Sequence, residues 1–303
     1  MLVALVLGVV VGGLIPVQSA INSRLASRIG AVLPASAISF AVGTAGLGLA
    51  VILTGTAVPW ATTAATQPWW IWLGGLCGLV FLTMNIVLLP RIGASATVVL
   101  PLVGQVFGGL VIDVTGAFGM TERPITVLRG LGALLVVVGA AGVNLLGRGG
   151  SVAPPVPARP HPLLWVAAVL VGSLGAVQTA VNGRLGQVMG SGLAAALVSF
   201  AIGTAGLVVV ILATRPRLRR AGELRGWMFS GGLLGAAFVL VNALNAPVLG
   251  TSLAVSVVLL GQVAIGLGMD HGGWLGVPRR RVTLARVASA AVVLLGVALV
   301  RFG

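Results

Sequence analysis

The sequence has no lysine and no tyrosine, one cysteine, two histidines and four acidic residues among 303. Each shortage removes a class of protein. Cys77 is alone and sits inside an apolar run, so there is neither a disulfide framework nor a thiol redox motif. Two histidines and four carboxylates give no metal-ligand spacing and little general acid–base capacity, and no phosphate loop or nucleophile elbow occurs; neither enzymatic activity nor a cofactor is expected. Charged residues make up 7% of the chain, against roughly 25% in soluble domains. That is too few to cover a fold of this size in water.

Hydrophobic residues are 58% of the chain and its mean hydropathy is +1.15. Lipid accommodates such a composition, because a helix of about 20 apolar residues crosses the hydrocarbon core with its backbone hydrogen bonds satisfied internally. The 46 glycines are about twice the usual share and fit helices that approach closely in a membrane. A net charge of +14 would suggest nucleic acid in a soluble protein. Here every basic residue is an arginine at or between the ends of apolar spans, so the expected partners are anionic lipid headgroups and not nucleic acid. The run from Leu2 to Ile15 has no basic n-region and no clear cleavage site, and is read as a span, not a signal peptide.

Ten apolar spans are expected, at about 1 to 20, 31 to 53, 69 to 89, 94 to 113, 126 to 146, 163 to 180, 193 to 213, 227 to 249, 251 to 270 and 283 to 300. Between the fifth and sixth lies a linker, 147 to 162, with the sequence GRGGSVAPPVPARPHP; its prolines exclude a continuous helix. It divides the chain into five-helix units at 1 to 146 and 163 to 303.

The two units repeat one another. At an offset of 160, QSAINSRLASRIG (18 to 30) aligns with QTAVNGRLGQVMG (178 to 190), and SFAVGTAGL (39 to 47) with SFAIGTAGL (199 to 207). At an offset of 157, GGLCGLVFLTMNIVLLPRIGAS (74 to 95) aligns with GGLLGAAFVLVNALNAPVLGTS (231 to 252), and GQVFGGLVID (104 to 113) with GQVAIGLGMD (261 to 270). An odd number of spans per unit makes the second copy enter from the opposite side. The arginines agree: with the first turn on one face, that face collects fourteen, while Arg123, Arg129, Arg184 and Arg301 remain on the other. By the positive-inside rule the arginine-rich face is cytoplasmic, and both termini are expected outside. The fold class is therefore an all-α membrane protein of about ten transmembrane helices in two inverted five-helix repeats.

The doubled Gln-x-x-x-Asn-x-x-Leu and Ser-Phe-Ala-x-Gly-Thr segments resemble the DMT family of the drug/metabolite transporter superfamily, specifically its EamA-like inner-membrane exporters with two fused five-helix domains. The resemblance covers nearly the whole chain. It implies bacterial inner-membrane placement and small-molecule transport. Small relatives in that superfamily use a glutamate in the first helix for proton coupling, whereas no carboxylate occurs here in the first or sixth span.

The candidate substrate-binding residues are repeat-related amides. Gln18 with Asn22, and Gln178 with Asn182, each share one helical face; they either line a path or bond a neighbouring helix. Gln105 and Gln262 lie halfway along their spans, where an unpaired amide is costly in hydrocarbon, and must face protein or water near the midplane. Asn85 and Asn242 either join the site or satisfy carbonyls freed by Pro90 and Pro247. The glycine pairs Gly8/Gly12, Gly74/Gly78 and Gly231/Gly235 are expected to allow backbone contact, and Ser39, Thr44, Ser199 and Thr204 to bond back within their own helices. Asp113 and Asp270 end the fourth and ninth spans. They are candidates for coupling, or solvated interfacial carboxylates paired with Arg129 and Arg286. His271 is read as a loop residue. The functional expectation is export of a small-molecule substrate by alternating access, in a monomer or homodimer. A lipid or lipid-precursor flippase and a non-transporting scaffold or assembly protein are the alternatives.

Overall fold

The computed structural model describes residues 1–146, 162–217, 222–276 and 282–303, without the side chains of 82, 83, 85–87, 89, 90 and 93–98. Most of the proline-rich linker, and Arg219, Arg220 and Arg279 to Arg281, thus lie outside the described residues. The first repeat contains α1 (Leu2–Ile29), α2 (Val32–Thr54), the short interfacial α3 (Trp60–Thr66), α4 (Leu73–Thr115) and α5 (Val127–Leu146). The second contains α6 (Pro162–Val188), α7 (Gly192–Thr214), α8 (Ser230–Leu249), α9 (Thr251–Gly272) and α10 (Leu284–Phe302). Exposed Trp60, Trp69, Trp165 and Trp274 stand near helix ends, where indole rings favour the lipid–water interface.

The helical stretch α4 is 43 residues long, yet its two ends oppose α6 in opposite directions. Gly74 and Gly78 meet Asn182 and Gln178, while Leu88 and Ile92 pack with Ala168. Leu100 packs against that same cluster, Gly104 meets Val169, and Ile112 clusters with Ala176 and Ala180. The chain therefore reverses between Ile92 and Leu100 and α4 supplies two passages, corresponding to α8 and α9. With α1, α2, α5, α6, α7 and α10, the membrane is crossed ten times.

Two expected boundaries move. The spans drawn to residues 20 and 180 belong to helices that continue to Ile29 and Val188. The buried stripe of Ile21, Leu25 and Ile29 carries on past Asn22 at helical spacing, as do Val181, Leu185 and Met189 past Thr179. Both helices stop only where glycine takes a left-handed turn, at Gly30 (φ 77°) and Gly190 (φ 66°), which are repeat mates. Gln18, Asn22, Gln178 and Asn182 are consequently internal to their helices.

The repeats interlock across a pseudo-twofold axis. Helix α1 packs on α8 and α9, and α6 packs on both passages of α4. Gly12 lies against the Val258 backbone and its mate Gly172 against Pro101, while Gly261 meets Val9 and Gly104 meets Val169. At each of these positions a Cβ would collide with backbone, so the helices approach as closely as glycine permits. The axis runs between α2 and α7, where the Phe40 and Phe200 rings stack at 5.0 Å and the Thr44 and Thr204 hydroxyls bond at 2.9 Å. It also runs between α5 and α10, where Gly132 meets Gly296 and Gly139 meets Ser289. Even backbone strain repeats: Phe118 (φ 58°) and Leu275 (φ 52°) occupy equivalent left-handed positions.

Candidate functional site

A cavity of about 530 Å³ lies between α1, α2, α4, α6, α7, α8 and α9. Gln18, Asn22, Gln105, Gln178, Asn182, Asn242 and Gln262 all line it, so one space gathers candidate amides from both repeats. The side chain of Asn85 lies outside the described residues. None of the four glutamine amides hydrogen-bonds protein among the described residues. Asn242 donates to Phe238 O at 2.9 Å, one turn back in its own helix. It therefore does not serve Ala243 O, the carbonyl that Pro247 frees.

The glycine pairs position these amides. At Gly74 and Gly78 a Cβ would enter the side chains of Asn182 and Gln178, and at Gly231 and Gly235 those of Asn22 and Gln18. The pairs thus accept amide side chains from the other repeat. Backbone contact falls to the adjacent glycines: Gly75 meets Ser199 O and Gly232 meets Ser39 O. Asn22 Oδ1 and Asn182 Oδ1, pressed against these glycines, have no hydrogen-bond partner among the described residues. Of the third pair, Gly12 meets the Val258 backbone as expected, whereas Gly8 meets the side chains of Val257 and Asn245.

Four phenylalanines complete the wall, Phe40, Phe81, Phe200 and Phe238, along with Ser19, Ser36, Ser39 and Thr179. Sequence reasoning passed over the aromatic pair, although Phe40 and Phe200 lie within the doubled Ser-Phe-Ala segment. Thr44 and Thr204 bond their own helix carbonyls at Phe40 and Phe200, as expected, and additionally bond each other.

The cavity opens unequally. Toward the Gly30 face it is lined by Ser23, Ala26, Val32 and Ser36, whereas their mates Gly183, Gly186, Gly192 and Ala196 do not line it and are buried. On the Gly190 face Gly183 packs against Ala246 and Pro247, Gly192 against Leu244, and Gly186 against Gly192. A second chamber of about 310 Å³ adjoins the first at Ile15, Ser19 and Gln262 and continues to Asn144, Asp270 and Arg286.

The two aspartates differ in the same sense. Asp113 is fully buried and not a solvated interfacial group, because it caps the start of α9 from the other repeat. Its Oδ1 accepts from Thr251 N at 2.6 Å; its Oδ2 accepts from Ser252 N, Ser252 Oγ and Arg129 Nη2 at 3.1, 2.5 and 2.9 Å. Arg129 is satisfied in turn by Arg123 O, Pro124 O and Ser252 Oγ. Asp270 is partly exposed at 19% and pairs with Arg286 at 2.5 Å, while Arg286 Nε donates to Val143 O. His271 belongs to the last turn of α9, not to the following loop.

A model of the DMT_YdcZ family, described as "Putative inner membrane exporter, YdcZ", matches residues 3–142 and 163–299. The chain is 32% identical over 118 residues to the inner membrane protein YdcZ of Escherichia coli (strain K12), an alignment covering 38% of this chain and 68% of that protein. One solved structure, described only as the crystal structure of a protein, superposes with a TM-score of 0.70 at 17% identity, over 98% of this chain and 94% of the other. That likeness concerns the fold. The family match spans both repeats, and its members are transporters by description, not an enzyme class, so this multi-pass inner-membrane protein belongs to the DMT_YdcZ family of inner-membrane exporters.

Proposed function

We propose that this protein exports a small solute by alternating access, with halves 1 to 146 and 163 to 303 rocking about the α2–α7 and α5–α10 contacts and residues 147 to 162 as their tether. The one-sided opening of the central cavity carries this reading. Repeat-related segments adopt two packings, open at α1–α2 and shut at α6–α7, as a carrier whose halves exchange roles requires. The binding residues are Gln18, Asn22, Gln105, Gln178, Asn182, Asn242 and Gln262, with Asn85 included by its register with Asn242. The arginine-rich face is cytoplasmic, the termini are outside, and this conformer faces inward. Anionic headgroups hold the arginine-rich loops at the cytoplasmic surface. One copy encloses the whole cavity, so a monomer suffices, whether or not two copies associate.

Asp113 and Asp270 are the coupling candidates. Asp270 is the better placed, since Asp113 is committed to four hydrogen bonds and sealed, whereas Asp270 borders a chamber that touches the substrate cavity at Gln262. The test is untargeted metabolite profiling of a deletion strain. It should accumulate a solute that the wild-type gene clears, and that Gln105→Leu or Gln262→Leu does not clear at equal membrane abundance. An unchanged profile on deletion would oppose transport; full clearance by both variants would remove these amides from the site.

A further inference from the structure

Among the described residues, no ionisable side chain lines the central cavity. Its polar groups are amides and hydroxyls, its apolar groups include the stacked Phe40 and Phe200 rings, and its volume of about 530 Å³ lies within the roughly 300–1,000 Å³ typical of small-molecule sites. The nearest ion pairs are engaged elsewhere: Asp113 with Arg129 caps α9, and Asp270 with Arg286 belongs to the adjoining chamber. An ion entering this space would exchange its hydration for neutral dipoles without a counter-charge, a transfer that proteins avoid unless the charge is paired.

We propose that the solute is uncharged, and that it combines carbonyl, amide or hydroxyl groups with a planar apolar ring. Gln18, Gln105, Gln178 and Gln262 have both ends of their amides available, so each can donate to and accept from such groups. Because they come as two repeat-related pairs, a solute can exchange one pair for the other as the halves rock. The phenylalanines offer ring faces and no charge. This class rests on the transport reading above, and it makes one further demand: at this site, net charge of either sign must weaken binding.

The experiment uses benzamide, benzoate and benzamidinium, which share a shape and differ in charge. Each is titrated against the full-length protein in detergent, reading the shift in unfolding midpoint with concentration. Benzamide should bind wild type at least about tenfold more tightly than either ion. In Gln178→Glu the order should reverse toward benzamidinium by a similar factor, with its mate Gln18→Glu as a second variant should the first fail to fold. Two results would overturn the proposal: benzoate or benzamidinium matching benzamide on wild type, or no shift from any of the three. Neither bears on whether deletion alters the cell's metabolites, so failure of the solute class and failure of transport can be told apart.

Discussion

The repeat-related ends of α1 and α6 match in register and differ in packing. QSAINSRLASRIG and QTAVNGRLGQVMG place Gln18 and Gln178, Asn22 and Asn182, Leu25 and Leu185 at equivalent points. Yet Asn182 is almost completely buried while Asn22 is partly exposed, and Gly183 and Gly186 are packed where Ser23 and Ala26 border open space. The mates also differ in residue, since Ser23, Ala26, Val32 and Ser36 stand where the second repeat has Gly183, Gly186, Gly192 and Ala196. On the transport reading proposed above, the difference belongs to one conformer of a two-state molecule. The contacts near the axis, by contrast, are alike in both halves.

Two glycine substitutions test that likeness. Gly12→Val and Gly172→Val each drive a side chain into the backbone of a facing helix, at Val258 and at Pro101. Overpacking of this kind costs about 1–3 kcal/mol and sometimes more, so both variants should lose folded protein to a similar degree, as monodisperse yield after detergent extraction would reveal. A defect confined to one of them would break the symmetry of the frame.

The aspartates sharpen the asymmetry. Asp113→Asn removes the charge that serves Thr251, Ser252 and Arg129 at once and leaves a buried guanidinium unpaired, a loss of roughly 3–5 kcal/mol. Asp270→Asn breaks the pairing with Arg286 at a partly exposed carboxylate, and should cost less, about 1–2 kcal/mol. Unfolding midpoints of the two variants give the ordering; equal losses would mean that the Gly30 side is as tightly clamped as its counterpart.

The smallest effect lies on the axis. Thr44→Val removes the hydroxyl bridge to Thr204 and should cost about 0.6 kcal/mol, a common value for side-chain hydrogen bonds between membrane helices. A midpoint shift several times larger would make the α2–α7 contact a principal fastening and not a pivot.

Composition and register made the class, the repeat and its inversion legible, because a span of apolar residues and a phase-locked identity are properties of the chain itself. The amides were legible for the same reason: polar groups inside apolar spans must find a partner or a cavity, and repetition in one register points them toward a common axis. What the glycine pairs receive could not be read, since GxxxG specifies a groove and not its occupant; here Gln18, Asn22, Gln178 and Asn182 fill the grooves. The burial of Asp113 was equally hidden, because its partners Thr251 and Ser252 are 138 and 139 residues away in the other repeat. The open and shut packings could not be read either: the shut side carries Gly183, Gly186 and Gly192 where the open side has Ser23, Ala26 and Val32, and small residues permit close packing without requiring it.

The most direct test uses a matched pair of cysteines, Ala26→Cys and Gly186→Cys, in a Cys77→Ala background, with a membrane-impermeant maleimide applied to oriented vesicles. Ala26 lines the open side, and at its mate Gly186 a Cβ meets only ordinary contacts, so both variants should fold. Without solute, Ala26→Cys should react from the cytoplasmic face and Gly186→Cys should be protected. A solute identified by the deletion profile, supplied at saturating concentration, should slow the first reaction and open the second to the outer face. Equal labelling of both positions, or labelling that solute leaves unchanged, would contradict alternating access between the repeats.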